Sequence, residues 1–337
     1  MTSRLDRPTT MRTPLSAASP WPGLAVSAVA VAVGFAVHAL VPLLSPPVVA
    51  IVLGVLVANL RPLGPRYAPG LAVASRRLLR IGVALLGLQL VVGDILGLGV
   101  GVIGLIIAVV TLSMAACLWL GGLLGLSPAQ RLLIAGGTSL CGAAAVVAVD
   151  GVIDADDEDT ATAVAIVVVF GTALLGLIPL SAAALHLSQR QAGLWAGASI
   201  HEVAQAVAAG GLIGSGALAV AVVVKLGRVL LLAPVVALIG LGRRRHAAPG
   251  TRPPVVPGFI VGFAVCVAIA STGLVPAHVL ALGNPVQVAL LSAAMFALGT
   301  GVRVSALRAV GPRPFVLGAL GSVWIAGLGL AGALLVA

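Results

Sequence analysis

Three polar side chains stand close together near the middle of a chain that is otherwise largely apolar. His201, Glu202 and Gln205 lie within about one helical turn and are flanked by Ala, Val and Gly. A charged side chain at bilayer depth costs about 2.5–3.5 kcal/mol on insertion scales, and it usually persists where it faces a protein interior or a water-filled path. A histidine or a buried carboxyl group in such a place can carry a proton. The segment therefore predicts a coupling site made of His201, Glu202 and Gln205.

The same segment admits a structural interpretation. Ser199 and Glu202 have the spacing of a capping box, in which Glu202 would help to cap a half-helix that starts at Ser199. That interpretation also requires a helix that begins inside the membrane. The sequence leaves both interpretations open.

A second polar segment, residues 136–142, contains three glycines together with hydroxyl and thiol side chains. A helix that restarts there would present free N–H groups and the positive end of its dipole to an anion. Tight helix packing through small residues is the alternative. A similar interruption at residues 299–301 favours a substrate site. Its candidate residues are Thr138, Ser139, Cys141, Gly142, Gly299, Thr300 and Gly301.

Two cations lie in an apolar stretch that follows the His-Glu segment. Lys225 and Arg228 are three residues apart, so a helix places them on one face. They are candidates for binding an anionic substrate, and they are also suited to neutralise Glu202. A buried ion pair with Glu202 that serves only the structure is the alternative.

The composition assigns the chain to the membrane. Hydrophobic residues make up 60% of the 337 residues and charged residues 8%, whereas soluble domains average about 25% charged residues. Apolar runs without two-residue alternation predict an all-α, polytopic membrane protein with about 11 transmembrane helices. The predicted segments are 24–41, 48–60, 79–96, 100–124, 131–149, 160–182, 192–209, 217–241, 257–274, 284–302 and 315–336.

The loop charges predict the orientation of these segments. With a cytoplasmic N-terminal tail at 1–23, alternate loops place the arginines inside, and they place Asp94 and the acidic run at 150–159 outside. The C-terminus is then outside a bacterial inner membrane. The arginines assigned to the cytoplasmic side are Arg4, Arg7, Arg12, Arg61, Arg66, Arg76, Arg77, Arg80, Arg131, Arg190, Arg243, Arg244, Arg245, Arg252, Arg303, Arg308 and Arg313.

This distribution explains the net charge of +10 without a nucleic-acid partner. The acidic run lacks the glycine and the terminal glutamate of a helix–loop–helix calcium site, so it is interpreted as a solvated loop. The three cysteines have no metal-ligand spacing. We expect neither a metal nor a cofactor.

Two segments share the pattern cation-x-Gly-x-x-Leu-Leu, at residues 80–86 and 225–231. They lie five spans apart, and an odd offset makes two copies enter the membrane from opposite sides. The pattern predicts inverted five-helix repeats, each with one broken helix. The single transmembrane domain at 24–337 then consists of span 1 at 24–41, repeat one at about 48–182 and repeat two at about 192–336.

These segments resemble a family of proposed sulfate exporters from bacterial inner membranes. The resemblance rests on residues 80–87, 135–145, 197–210, 225–234 and 297–301, and Leu140 stands where the family usually has isoleucine. It implies a fold similar to bile-acid symporters and sodium/proton antiporters, with two crossed broken helices. It also implies export of sulfate or a related oxyanion.

The sequence thus predicts a secondary active transporter of a small anion, coupled to protons, rather than an enzyme. A sodium-coupled transporter of an organic anion or sulfonate is the nearest alternative. A passive channel is another, as is an intramembrane enzyme with Cys141 or Ser139 as nucleophile and His201 as base. The expected partners are the anion, protons or sodium, and the lipid bilayer, and a homodimer is compatible with the sequence.

Overall fold

The computed structural model describes residues 19–42, 44–246, 257–303, 305 and 311–337, and its regular elements in these ranges are helices. A backbone surrounded by lipid must satisfy its own hydrogen bonds, and a helix does so within one segment. Most of the predicted tail at 1–23 lies outside the described residues. So do the predictions for Arg4, Arg7, Arg12, Arg252 and Arg308.

The helices are named in chain order. They are α1 Trp21–Leu40, α2 Pro46–Leu60, α3 Ala68–Val73, α4 Leu79–Leu86, α5 Val92–Gly97, α6 Val100–Leu123, α7 Pro128–Ser139, α8 Ala143–Ile153, α9 Asp157–Ala184, α10 Gln189–Ser199, α11 Val203–Ile213, α12 Ser215–Leu230, α13 Leu232–His246, α14 Gly258–Ser271, α15 Ala277–Gly299 and α16 Arg313–Val336. A π-helical turn at Ala74–Leu78 joins α3 to α4, and a short 3-10 turn at Gly87–Gln89 follows α4.

Within the described ranges, six helical segments are long and apolar enough to cross a membrane. They are Trp21–Leu40, Val100–Leu123, Asp157–Ala184, Ser215–Arg243, His278–Gly299 and Arg313–Val336. Shorter apolar helices add to them, so the prediction of a multi-pass, all-helical membrane protein is confirmed. The predicted bounds 79–96 are wrong. The helix there begins at Ala68, next to a proline in its first turn, and it continues past Arg76 and Arg77 to Leu86.

The predicted span 131–149 is a helical hairpin instead of a crossing. A Cβ atom on Gly136 would lie 2.9 Å from Val149 Cγ2, and one on Gly137 would lie 2.7 Å from Val146 Cγ2. A straight helix would separate residues 136 and 149 by about 20 Å. The chain reverses at residues 140–142, where Gly142 has a φ of +81°, a conformation that favours glycine. Helix α8 therefore returns antiparallel to α7.

The predicted span 192–209 is a second hairpin, made of α10 and α11. The Gly216 N–H, just after α11, donates to Gln189 Oε1 at the start of α10 over 2.8 Å. The chain reverses at residues 200–202. Each arm of the two hairpins has 11 or 12 residues, which is about 17 Å of helix and roughly half of a ~30 Å hydrocarbon core.

The hairpins change which loops lie at the same end of the molecule. Ser127 Oγ donates to Asp159 at 3.4 Å, and Arg76 lies 3.8 Å from Asp157. The acidic run therefore shares an end with the arginines, and its predicted placement on the other side is wrong. A hairpin adds no crossing, so loops between the two hairpins change sides and Arg190 moves to the other end. We call the end with Arg76 and Asp157 the arginine-rich end, and the other the opposite end.

The helices form two groups. Helices α6–α12 and α16 pack mainly with one another and are called the hairpin group. Helices α1–α4, α14 and α15 form the flanking group. A cavity of about 420 Å³ lies between the groups, and its wall includes residues from both. The site is therefore positioned where the two groups face each other.

Candidate functional site

The tips of the two hairpins meet beside α12. Lys225 Nζ donates to the Leu140 carbonyl at 3.0 Å and to the Ile200 carbonyl at 2.6 Å. These carbonyls follow the C-terminal ends of α7 and α10. The last carbonyls of a helix lack partners within it and carry the negative end of its dipole. One ammonium group therefore stabilises the ends of both helices.

Arg228 acts on the same two helix ends. Its guanidinium donates to the carbonyls of Thr138 at 2.9 Å, Ser139 at 3.2 Å, Ile200 at 2.9 Å and Gly197 at 3.3 Å. Both cations are fully buried. This arrangement differs from an ion pair with Glu202: among the described residues, the ion pair at bonding distance is Arg76 with Asp157. Backbone carbonyls at the ends of α7 and α10 accept the hydrogen bonds of both cations instead.

Glu202 contacts a helix that is distant in sequence. Its Oε1 accepts a hydrogen bond from the Ala143 N–H, the first residue of α8, at 2.7 Å. Ser199 is the last residue of α10 and donates to the Ile325 carbonyl at 3.3 Å. The predicted capping box within residues 199–202 is therefore wrong. Glu202 caps a helix, but that helix belongs to the other hairpin.

The start of α11 has no such cap. Glu202 is its N-cap residue, yet the Glu202 side chain makes no capping bond to α11. The backbone N–H groups of Val203 and Ala204 have no acceptor within the described part of the chain. Both residues line the cavity, together with Glu202, Cys141 and Ala144. The cavity wall thus contains the starts of two helices, one capped by a carboxylate and one open.

The other predicted coupling residues point away from the cavity. His201 Nε2 lies 2.9 Å from Ser322 Oγ on α16. That hydroxyl donates to the Gly318 carbonyl, so it accepts from His201. Gln205 Nε2 donates to Thr172 Oγ1 on α9 at 3.1 Å. Of the three, Glu202 is the one in the cavity wall.

The residues predicted in the first hairpin have distinct positions. Thr138 Oγ1 donates to the Ile134 carbonyl of its own helix at 2.8 Å. The Ser139 hydroxyl is buried. Cys141 lines the cavity, and Gly142 forms the turn and lies against the Glu202 carboxylate.

Residues 299–301 lie elsewhere. A Cβ atom on Gly299 would meet the Ile51 carbonyl and lie 3.1 Å from Gly54 Cα, both on α2. Thr300 Oγ1 donates to the Ala297 carbonyl at 2.7 Å, and Gly301 follows in the turn that ends α15. The second interruption therefore lies at residues 200–202 and not at 299–301, where small residues let α15 approach α2 closely.

Three amide side chains also line the cavity, and of these no sequence motif indicated Asn284 or Gln287. Gln89 Nε2 donates to Gln287 Oε1 at 2.6 Å and to Asn284 Oδ1 at 3.2 Å. All three residues line the cavity on the flanking group. We call them the amide cluster. A lone amide in an apolar span is a signal for such a position, because polar groups are costly there.

Together the fold and the site define a class: a multi-pass helical membrane protein in which two hairpin tips meet beside a cavity. The chain belongs to the family described as conserved hypothetical protein 698, whose model matches residues 22–318.

Similar proteins in several bacteria are named as membrane proteins. The UPF0324 membrane protein Cgl0015/cg0018 of Corynebacterium glutamicum is 48% identical over 317 residues, which cover 93% of this chain and 92% of that protein. A UPF0324 membrane protein of Bacteroides thetaiotaomicron is 36% identical over 291 residues, which cover 83% of this chain and 87% of that protein. The UPF0324 membrane protein TauZ of Paracoccus denitrificans is 36% identical over 300 residues, which cover 86% of this chain and 88% of that protein. No solved structure matches the chain.

Proposed function

We propose that this protein is a secondary active transporter of a small anion, coupled to protons, in a bacterial inner membrane. The observation that carries the proposal is the open start of α11 beside a carboxylate that caps α8. Helix N-termini stabilise anions through free N–H groups and the helix dipole, without a full positive charge from the protein. The anion would bind at the cavity face of Val203, Ala204 and Ala144.

The carboxylate provides a physical reason for proton coupling. Ionised Glu202 and a bound anion would occupy neighbouring helix starts. Like charges repel strongly where the local dielectric constant is low. A proton on Glu202 removes that repulsion, so the anion and the proton would bind together and move together.

The cavity position suits a transport cycle. The cavity extends from the hairpin tips to Pro42, Ser45 and Asn284, which lie towards the opposite end. Movement of the hairpin group against the flanking group would change which end reaches the site. Lys225 and Arg228 tie the two tips together, so the tips would move as one body. The positive-inside rule assigns the arginine-rich end, with the start of α1, to the cytoplasm.

The geometry favours transport over an intramembrane enzyme. In the described structure, the hydrogen bond of the His201 ring goes to Ser322, and none joins it to Cys141 or Ser139. A nucleophile needs a base within hydrogen-bond reach. A broken-helix site of this kind also requires neither a metal nor a cofactor.

Uptake into liposomes tests the proposal. Purified protein should take up an oxyanion such as sulfate or a small organic anion in response to a pH gradient. Glu202→Gln keeps an oxygen that accepts from Ala143 but cannot ionise, so gradient-driven uptake should be lost while the protein stays folded. Glu158→Gln, at an exposed position, is the control.

Replacing sodium by choline should leave wild-type uptake unchanged. If uptake requires sodium, the coupling ion is sodium and not the proton. A fully gradient-responsive Glu202→Gln protein would remove the coupling role of Glu202.

A further inference from the structure

The cavity beside Glu202 is larger and more apolar than one inorganic oxyanion requires. Its volume of about 420 Å³ falls in the size range of sites for organic ligands. Val83, Leu86, Val207 and Leu291 are part of its wall. A sulfate ion alone would leave water against these side chains, which is unfavourable. The volume and the apolar lining of the cavity therefore favour an organic anion.

The amide cluster supplies unused hydrogen-bond donors at this cavity. Three primary amides have six N–H bonds and three oxygens. The two bonds within the cluster use both N–H bonds of Gln89 and the oxygens of Asn284 and Gln287. Four N–H bonds and one oxygen are left without a partner among the described residues. Gln287 is buried, whereas Gln89 and Asn284 are exposed, and all three line the cavity, where a ligand can reach them.

The cluster and the helix starts lie on different sides of the cavity. Gln89 follows α4, and Asn284 and Gln287 lie on α15, all in the flanking group. Glu202, Val203 and Ala204 belong to the hairpin group. The wall between them is mainly apolar. A ligand that reaches both would have a charged end, an apolar body and a second polar group.

We propose that Gln89, Asn284 and Gln287 form a specificity subsite for an acceptor oxygen at the far end of an organic anion. The substrate class is a short alkyl sulfonate or carboxylate with a distal hydroxyl or carbonyl oxygen. Its charged end lies at the start of α11. This inference rests on the proposed transport function and adds the substrate class to it.

The excess of N–H donors in the amide cluster distinguishes substrates with a distal oxygen from those with a distal ammonium group. An ammonium group has three N–H donors and no acceptor. It would meet four competing N–H groups and one oxygen in the amide cluster. A hydroxyl or carbonyl oxygen can accept from those N–H groups directly. The subsite therefore prefers a hydroxyalkyl sulfonate over an aminoalkyl sulfonate of the same length.

Competition for uptake into liposomes by the full-length protein tests the subsite. The competitors are isethionate, which has a distal hydroxyl group, ethanesulfonate, which has none, taurine, which has a distal ammonium, and sulfate. Isethionate should compete about five- to tenfold better than ethanesulfonate, as expected for one hydrogen bond to a neutral group. Taurine should compete no better than ethanesulfonate.

Gln287→Met removes the donors and keeps the length of the side chain. It should bring isethionate down to the level of ethanesulfonate while ethanesulfonate itself competes as before. Asn284→Leu should reduce the preference in the same direction. Leu282→Met, at an exposed position of α15 outside the cavity lining, should keep the full preference.

A cluster that only joins α4 to α15 would lower stability in Gln287→Met without changing the ratio of the two sulfonates, and that result would overturn the subsite. Competition by sulfate alone would overturn the substrate class and leave anion transport standing. Absence of uptake for every anion, by a folded wild-type protein, would overturn the proposed function itself.

Discussion

The C-terminal and N-terminal helix ends at the hairpin tips have different hydrogen-bond partners. The C-terminal ends of α7 and α10 share two buried cations, which donate six hydrogen bonds to their carbonyls. The N-terminal ends of α8 and α11 share one carboxylate, which caps α8 and leaves α11 open. Both carbonyl ends therefore accept hydrogen bonds from buried cations, whereas one of the two N-terminal ends has a side-chain cap among the described residues.

This difference separates the polar groups that bond only within the protein from those that line the cavity. Lys225 and Arg228 are fully buried and bonded to backbone carbonyls, so their first role is to hold the tips together. Glu202 and the start of α11 line the cavity, where a ligand or a proton can change the balance of charge. Buried charge alone is therefore a weak criterion for a candidate site in this protein, because the two buried cations bond to backbone carbonyls.

The largest expected effect concerns the hairpins on which the comparison depends. In a protein whose three native cysteines are replaced, Asp157→Cys and Arg76→Cys should react with an impermeant thiol reagent from the same side of the membrane. Arg190→Cys should react from the other side. The result is all or none, because a hairpin adds no crossing. Labelling of Asp157→Cys opposite to Arg76→Cys would restore a full crossing at residues 131–149.

The next effect is the loss of a buried cation. Arg228→Met removes four hydrogen bonds from a charged donor at roughly 1.5–3 kcal/mol each, so stability should fall by about 6 kcal/mol or more. Thermal unfolding of the protein in detergent measures it. Arg77→Met, at an exposed position, should change little. A stable Arg228→Met protein that has lost only transport would give this cation a direct substrate role.

A smaller effect is expected at the turn of the first hairpin. In Gly142→Ala, a φ of +81° costs about 1–2 kcal/mol for a residue with a Cβ atom, and the new methyl group would meet the Glu202 carboxylate. Both stability and gradient-driven uptake should decrease. Gly151→Ala lies in open space within α8 and should be neutral or slightly stabilising. Equal behaviour of the two variants would contradict the close approach of Glu202.

The smallest effect concerns the contact between the second tip and α16. Ser322→Ala removes the acceptor of His201 Nε2 and should cost about 1 kcal/mol, the usual net value of one hydrogen bond. Ser181→Ala, whose hydroxyl makes no hydrogen bond in the described structure, is the control for thermal unfolding. Uptake should persist in both variants. Loss of uptake in folded Ser322→Ala would give His201 a larger part in coupling than its position outside the cavity indicates.

Much of the fold class could be predicted from the sequence for local physical reasons. Apolar runs must form helices in lipid, whichever neighbours they have. Polar residues in those runs are costly, so Glu202 and the segment at 136–142 could be selected as special before any contact was known. The same reasoning failed at residues 299–301, because glycines that loosen a helix and glycines that let two helices approach have the same sequence pattern.

What the sequence by itself determined is the membrane environment and the helices, and it indicated Glu202 as a candidate site residue. Only the tertiary structure decided that residues 131–149 and 192–209 turn back, since two half-length helices contain as many apolar residues as one crossing. It also decided the partner of Glu202, which lies 59 residues away on the other hairpin, and it placed the acidic run beside the arginines. The physical reason is the same in each case: helix formation depends on neighbours along the chain, whereas the compensation of a helix end at bilayer depth depends on which other segments reach it.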